Sequence, residues 1–224
     1  MYAKEKVAAI SIASILTFAF LLPVVTVYAK SPDPKLNITA FNGTGSTAAW
    51  VLDPSGAEFN SPGYDLQIST VSGSFAGAFY HGVESLTLGS LQHLGFDVKM
   101  ISGAFAAGDP RLSILLSNGV TLFPDPFYCT NTMGADSYTH FDVVTDVTCT
   151  VFSVGGNAGI HGFSWSDTLT SSDVCTGGCG AVSISHIIMV QDSPPGTLNL
   201  GQLSAGCAVV KSPGSSSFII GTAC

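Results

Sequence analysis

Apolar and polar residues alternate along several short segments of this chain. The period of two is clearest at residues 64–69, 96–100 and 182–188. Since successive side chains of a β-strand point to opposite faces, this alternation predicts strands with one face in a core. Shorter apolar segments predict further strands at residues 75–80, 112–116, 120–123, 141–144 and 148–154.

Clusters rich in Gly, Pro, Asn and Asp separate these segments and predict turns. Asn118-Gly119, for example, predicts a two-residue hairpin turn between two of the strands. No long window carries a helical period. Short strands at this spacing predict an all-β fold, an antiparallel two-sheet β-sandwich of the jelly-roll type.

The first 29 residues have the pattern of a secretory signal peptide. Lys4 and Lys6 precede an uncharged apolar run at residues 7–22, and Val27-Tyr28-Ala29 fits the small-x-small cleavage rule. This predicts a signal helix, cleavage after Ala29, and a protein outside the cell or on its surface, with no membrane span left. The alternative is an uncleaved anchor, since the run is marginal for a span.

The chain is then expected to divide into four segments. They are a signal peptide at residues 1–29, a polar lead-in arm at 30–46, the β-sandwich domain at 47–203, and a disulfide-closed C-terminal hairpin at 204–224. The arm contains two N-glycosylation sequons, at Asn37 and Asn42, which are usable if the host glycosylates secreted chains.

The even number of cysteines in an exported chain favours disulfides. Cys175 and Cys179 are separated by three residues, unlike the Cys-x-x-Cys spacing of many zinc and thioredoxin-type sites. The Gly177-Gly178 between them indicates a turn. Six cysteines allow many connectivities, and locality along the chain favours the pairs Cys129–Cys149, Cys175–Cys179 and Cys207–Cys224.

The charge balance argues against a nucleic-acid partner. The formal net charge is −8, and Lys99, Arg111 and Lys211 are the only Lys or Arg residues beyond position 35. Phosphate binding needs a cluster of such residues. Low charge and 46% hydrophobic content suit a secreted β-rich protein instead.

Four segments carry a resemblance to a known group of proteins. They are GSFAGA at residues 73–78, the stretch from Leu86 to FDV at 96–98, GDPRLSI at 108–114, and the stretch from Val182 to VQD at 190–192. In this order they resemble secreted microbial proteins of undefined function that look like carbohydrate-binding jelly rolls. The resemblance covers about residues 64–203, and it implies a fold and a hint of a glycan ligand.

Enzyme signatures are mostly absent from the sequence. No G-x-S-x-G elbow, H-E-x-x-H motif, P-loop or EF-hand is present. A glycosidase needs two facing carboxylates, and Glu58 and Glu84, the only glutamates after the signal, lie in turn-like sequence. The sequence therefore favours a non-enzyme, with a polysaccharide-active enzyme as an alternative.

Exposed aromatic residues are the candidate ligand-binding groups, because a flat ring can stack on a sugar while polar neighbours contact its hydroxyls. Trp165 and Tyr128 are flanked by turns, and Tyr80 ends a predicted strand. The alternative for each is a place in the core. Arg111 is expected either to contact ligand or to form an ion pair with Asp109, Asp97 or Asp192.

No cofactor is required by any of these features. Structural calcium is the alternative, with Asp97, Asp109 and Asp192 as candidate ligands beside predicted turns. Aspartate also favours turns by bonding its own backbone, which would explain the same pattern. His186 shares its alternation with Ile184 and Ile188, which predicts a partly buried histidine instead of a metal ligand.

The sequence thus predicts a secreted, non-catalytic module that binds a glycan or a cell-envelope polymer. The alternative is a structural protein of an extracellular surface or filament. It would assemble with copies of itself by strand addition, with residues 30–46 as the donated strand.

Overall fold

The computed structural model describes residues 36–53, 63–84, 86–106, 108–130, 132–133, 138–157 and 162–218. The predicted signal peptide, Glu58 and Cys224 lie outside these ranges. Within the ranges, no helix is both long and apolar enough to cross a bilayer.

The described residues form fifteen strands and one short α-helix. The strands are β1 (Asn37–Asn42), β2 (Thr47–Asp53), β3 (Gly63–Ser69), β4 (Ala76–His81), β5 (Leu94–Ser102), β6 (Arg111–Leu116), β7 (Thr121–Asp125), β8 (Thr132–Met133), β9 (Thr139–Asp142), β10 (Thr150–Val154), β11 (Gly162–Phe163), β12 (Ile184–Gln191), β13 (Thr197–Ala205), β14 (Ala208–Ser212) and β15 (Ser215–Phe218). The helix is α1 (Trp165–Thr170).

Two antiparallel sheets contain all of these strands, which confirms the predicted all-β sandwich. The seven-stranded sheet has the order β1-β4-β12-β6-β7-β10-β11. The eight-stranded sheet has the order β15-β14-β13-β5-β9-β8, with β3 also paired to β13 and β2 to β3. Each predicted strand coincides with an observed one within a few residues at its ends.

The core consists of the inward-facing residue of each alternating pair. Leu66 and Ile68 of β3, Ile114 of β6 and Ile187 of β12 are fully buried. Their sequence neighbours Gln67 and Ile188 are partly exposed. This is the period of two from which the strands were predicted.

The predicted hairpin between β6 and β7 is present, but its loop has three residues instead of two. The Leu116 amide donates to the Val120 carbonyl at 2.9 Å, and the Gly119 amide donates to the Leu116 carbonyl at 3.0 Å. Gly119 has a φ of 86°, a left-handed conformation that glycine adopts without steric cost.

Residues 37–42 of the predicted lead-in arm form β1 and belong to the sandwich. Ile38 pairs with Tyr80 of β4, and Leu36 and Ile38 are buried in the core. The C-terminal segment also joins a sheet, since Leu203 of β13 pairs with Val210 of β14. The two predicted flanking segments therefore extend the two sheets.

One short helix accompanies the strands, and one local expectation from the sequence is wrong. The described residues include the helix α1, which begins after Ser164, whose side chain accepts a hydrogen bond from the Asp167 amide at 3.0 Å. His186 is exposed, because the register of β12 shifts between Ile184 and His186. A bulge adds one residue and so reverses the alternation on which the prediction depended.

The disulfide pairs Cys129–Cys149 and Cys175–Cys179 are confirmed. Cys207 is also disulfide-bonded, while its predicted partner, Cys224, lies outside the described residues. The first pair connects residues 20 positions apart and the second connects residues 4 positions apart.

Replacing both Cys129 and Cys149 by serine should lower the free energy of unfolding by about 3 kcal/mol, because a long loop is released in the unfolded chain. The matched control replaces Cys175 and Cys179, whose short loop predicts a smaller loss of about 2 kcal/mol. Urea denaturation measures both. A larger loss for the short loop would contradict the chain-entropy explanation.

Candidate functional site

The outer face of the seven-stranded sheet is rich in apolar side chains. Phe79 of β4 lies opposite Thr39 of β1 on one side and Ile188 of β12 on the other. Ile188 in turn lies opposite Ser113 of β6. Since paired residues in register point to the same face, these side chains form one row across the sheet. Farther along the sheet, Phe123 of β7 lies opposite Phe152 of β10 on this face.

Three phenylalanines form a first aromatic cluster at one end of this face. The ring centroid of Phe41 lies 4.7 Å from that of Phe79 and 6.2 Å from that of Phe75. Phe79 is 37% exposed although it is in the middle of a strand. A phenylalanine ring held at the surface costs hydrophobic stabilisation, so this cluster is a candidate contact surface.

Gly77 of β4 provides the space that Phe41 occupies. A Cβ atom at Gly77 would lie 2.7 Å from Cζ of Phe41 and would overlap the carbonyl oxygen of Met189. The absence of a side chain therefore lets the Phe41 ring approach β4 closely while β4 and β12 keep their pairing.

A second aromatic cluster lies at the other end of the face, beside β10. Phe127 and Tyr128 form a 3-10 turn directly after β7, and their ring centroids are 5.3 Å apart. The ring centroid of Tyr128 is 5.5 Å from that of Phe152. The Asp125 side chain accepts a hydrogen bond from the Phe127 amide at 3.0 Å and so fixes the turn. Tyr128 is 45% exposed.

The two clusters lie at opposite ends of a long surface. Four steps between neighbouring strands separate β4 from β10, which is about 19 Å at the usual interstrand spacing of about 4.8 Å. Partly exposed Ser113, Leu115 and Thr121 lie between the clusters. We call the surface from Phe41 to Tyr128 the aromatic face.

Arg111 lies at one border of the aromatic face, opposite Val190 of β12. Its guanidinium forms a two-pronged ion pair with Asp192, at 3.1 and 2.8 Å, and donates to the Gly108 carbonyl at 2.9 Å. This is the ion-pair alternative from the sequence. Arg111 lowers the pKa of Asp192, while burial raises the pKa of Asp109.

Tyr80 and Trp165 are buried, which corrects the expectation that they are exposed stacking residues. Tyr80 is 1% exposed, since its pairing with Ile38 and Ile187 turns it into the core. Burial raises the pKa of its phenol. Trp165 is 6% exposed and packs from the first turn of α1 against the core. Of the three aromatic residues selected from sequence, Tyr128 is on the surface.

The three aspartates proposed for calcium lie in two separate networks. Asp109 accepts hydrogen bonds from the backbone amides of Asp192 and Ser193, at 2.9 and 2.6 Å, next to Arg111. Asp97 lies on β5 in the other sheet, hydrogen-bonded to His140 and Gln202 at 2.8 Å each. The expected three-carboxylate set is therefore not formed. The only group of three candidate metal ligands among the described residues is Cys129, Asp146 and Cys149, whose cysteines are disulfide-bonded.

The sequon residues Asn37 and Asn42 are exposed at the two ends of β1. Glycosylation at either one stays a prediction.

The outer face of the eight-stranded sheet is different, because it carries polar side chains that form hydrogen bonds with one another. Tyr138 donates its hydroxyl proton to Asp53 at 2.8 Å and also contacts Asp65. Asn199 donates to Asp65 at 3.1 Å and accepts from Gln67 at 3.1 Å. Asp65, Tyr138 and Asn199 are buried. We call this group the polar network.

Sequence reasoning missed the phenylalanines of the aromatic face, because it selected only Trp and Tyr residues with a polar group. A signal for one cluster was present. In residues 75–81 the positions 76, 78 and 80 are Ala, Ala and Tyr, while 75 and 79 are Phe. The two phenylalanines share the parity opposite to Tyr80, and the exposure of either set becomes clear only once the sheet shows which parity faces the core.

Comparison with known proteins gives a likeness in structure only. No protein-family model and no curated protein sequence matches the chain. Similar solved structures include a family 11 carbohydrate-binding module of a cellulosomal cellulase of Clostridium thermocellum, at 12% identity and a TM-score of 0.36, over 80% of this chain and 90% of that one. Another is the family 11 module from the same organism in complex with a β-1,3-1,4-mixed-linked tetrasaccharide, at 11% identity and a TM-score of 0.38, over 79% and 90% of the two chains.

Gly77→Ala should destabilise the protein by about 1–3 kcal/mol, because the new methyl group overlaps the β12 backbone and the Phe41 ring. Thermal denaturation measures the loss, with Ser113→Ala on the same face as the control. Wild-type stability in Gly77→Ala would contradict the close approach of β4 to β12 and Phe41.

Stability should also depend on the ionisation of Asp65. Burial raises the pKa of Asp65 from 3.8 to about 6, Asp53 adds to the rise, and the Tyr138 hydrogen bond opposes it. A raised pKa means that the folded protein favours the protonated form of Asp65. The stabilisation of the folded protein by this group is therefore complete below about pH 4 and is lost as the pH rises through 6. Two pKa units correspond to at most about 3 kcal/mol.

Urea denaturation of wild type and of Asp65→Asn, from about pH 4 to about pH 7, isolates this contribution. The difference in unfolding free energy between the two proteins should change by up to that amount in favour of the variant as the pH rises. A pH-independent difference would show that Asp65 ionises normally.

Proposed function

We propose that this protein is a secreted, non-catalytic module that binds a glycan or a cell-envelope polymer through its aromatic face. The observation that carries this proposal is the pair of exposed aromatic clusters at the two ends of one sheet face. Soluble proteins seldom expose contiguous apolar surface without a binding role.

A polysaccharide suits this surface for two reasons. The rings of Phe79 and Tyr128 offer apolar area on which sugar rings can stack. Thr39, Ser113 and Thr121 lie on the same face by their strand pairing, and their hydroxyl groups can hydrogen-bond to sugar hydroxyls. The distance between the clusters favours a chain of several sugar units over a single sugar.

The charge of the surface favours a neutral polymer. Arg111 lies at one border of the aromatic face and is already neutralised by Asp192. The chain as a whole carries a formal net charge of −8. An anionic polymer would therefore be repelled, without a cluster of basic groups to hold it.

Secretion and the absence of catalysis complete the proposal. The disulfides Cys129–Cys149 and Cys175–Cys179 require an oxidising compartment, consistent with export by the predicted signal peptide. The carboxylates of Asp109 and Asp192 are engaged by Arg111 and by backbone amides, as expected for structural groups. We infer no reaction at the aromatic face.

Binding to a panel of soluble and insoluble polysaccharides, with and without calcium, tests the proposal on residues 30–224. We expect saturable binding to at least one polymer. Tyr128→Ala and Phe79→Ala should each weaken it at least about tenfold, or about 1.4 kcal/mol, because each removes a stacking ring.

The matched control is Tyr64→Ala. Tyr64 is 43% exposed, close to the value for Tyr128, but it lies on β3 in the other sheet. Its replacement should leave binding unchanged. No binding to any polymer by folded, oxidised wild type would overturn the proposal, and an equal loss in Tyr64→Ala would move the site away from the aromatic face.

A further inference from the structure

Lys99 and Asn199 lie directly opposite each other on neighbouring strands. Lys99 is on β5 and Asn199 on β13, and their Cα atoms are partners in the antiparallel register. Both side chains belong to the outer face of the eight-stranded sheet, next to the polar network. Residues opposite each other on one face have Cβ atoms about 4.5–5.5 Å apart, so a lysine amine can reach the carbon of an asparagine amide.

Two neighbouring side chains hold the Asn199 amide in a fixed orientation. Gln67 donates from Nε2 to Oδ1 of Asn199 at 3.1 Å. Asn199 donates from Nδ2 to the Asp65 carboxyl group at 3.1 Å. The amide oxygen therefore faces a hydrogen-bond donor, and the amide nitrogen faces an acid.

The groups around this amide are buried, and the Lys99 amine lies over one of them. Asp65 and Tyr138 are at most 1% exposed, and Asn199 is 7% exposed. The Lys99 amine lies 5.3 Å from the ring centroid of Tyr138, whose hydroxyl contacts Asp65. Tyr138 therefore contacts both the Lys99 amine and Asp65, the acid that accepts a hydrogen bond from Asn199.

We propose that Lys99 and Asn199 form an intramolecular isopeptide bond that joins β5 to β13. The Lys99 amine, as free base, attacks Cγ of Asn199, and a bond forms between Nζ and Cγ. The bond between Cγ and Nδ2 breaks, and one proton of the attacking amine passes to the departing nitrogen, which leaves as ammonia. The step needs no oxidant and no co-reactant.

The neighbouring residues have defined parts in this step. Gln67 stabilises the negative charge that develops on Oδ1 during attack, as a donor of an oxyanion hole does. Asp65 contacts Nδ2 and transfers the proton from the attacking to the leaving nitrogen. Burial raises its pKa to about 6, so near neutral pH the group can both accept and donate a proton.

The bond would be independent of glycan binding, because the polar network and the aromatic face lie on different sheets. It would cross-link strands that are about 100 positions apart in the sequence. Such a link lowers the conformational entropy of the unfolded chain as a disulfide does. Unlike a disulfide, it is not broken by reducing agents.

Mass spectrometry of the protein secreted from the full-length chain tests the proposal. After reduction, the intact mass should be lower than the sequence mass by one ammonia molecule. Trypsin cannot cleave after an acylated lysine, so residues 36–111 and 112–211 should appear as one branched product. The sequence mass, with separate peptides 36–99 and 112–211, would overturn the proposal.

Lys99→Arg should restore the full mass expected for that variant, since an arginine does not attack an amide. Lys211→Arg, on β14, is the matched control and should keep the loss of ammonia. If Lys99→Arg does not fold, fragmentation of the wild-type branched peptide gives the answer, because it identifies the two joined residues. A linkage that excludes either Lys99 or Asn199 would also overturn the proposal.

Discussion

The pairing of β12 with β4 on one side and β6 on the other determines what the seven-stranded sheet buries and what it exposes. Ile187 of β12 lies opposite Tyr80 and Ile188 opposite Phe79. Paired residues share a face, so the same register sends Tyr80 into the core and Phe79 to the surface. A shift of one residue would exchange the two rings and bury the first aromatic cluster. Gly77 keeps this register possible, because it is where Phe41 and the β12 backbone come closest to β4.

The two outer faces of the sandwich have different physical characters. The seven-stranded sheet carries aromatic rings, such as those of Phe79 and Tyr128, that stay partly exposed although they pack against neighbouring rings. The eight-stranded sheet carries buried polar groups that satisfy one another, such as Asp65 with Asn199. A ligand that covers an apolar surface lowers the free energy, because apolar area is removed from water. A polar network whose hydrogen bonds are already satisfied would be stabilised little by a ligand, but it can hold reacting groups in place. This difference is the reason why we propose ligand binding at the first face and a cross-link at the second.

Alternation and short apolar segments were enough to predict eight of the fifteen described strands, but not β13. Locality along the chain was enough to predict the pairs Cys129–Cys149 and Cys175–Cys179. Alternation was not enough to predict which side chains are exposed, because a period of two defines two faces of a strand without showing which one is buried. Tyr80 was therefore selected and Phe79 overlooked. The bulge in β12 made the predicted burial of His186 wrong. The helix α1 is too short for its period to be detected, although its capping pair Ser164 and Asp167 is visible in the sequence. The polar network depends on the register between β2, β3 and β13, which no local sequence pattern contains.

Backbone amide NMR spectra of residues 30–224, titrated with a soluble neutral polysaccharide that they bind, test the central claim most directly. The account predicts that chemical shifts change at β4, β12, β6, β7 and β10 and at the Phe127–Tyr128 turn, and that they reach saturation together. Changes confined to Gln67, Lys99 and Asn199 on the outer face of the eight-stranded sheet would contradict it. They would place the ligand on the polar network instead of the aromatic face.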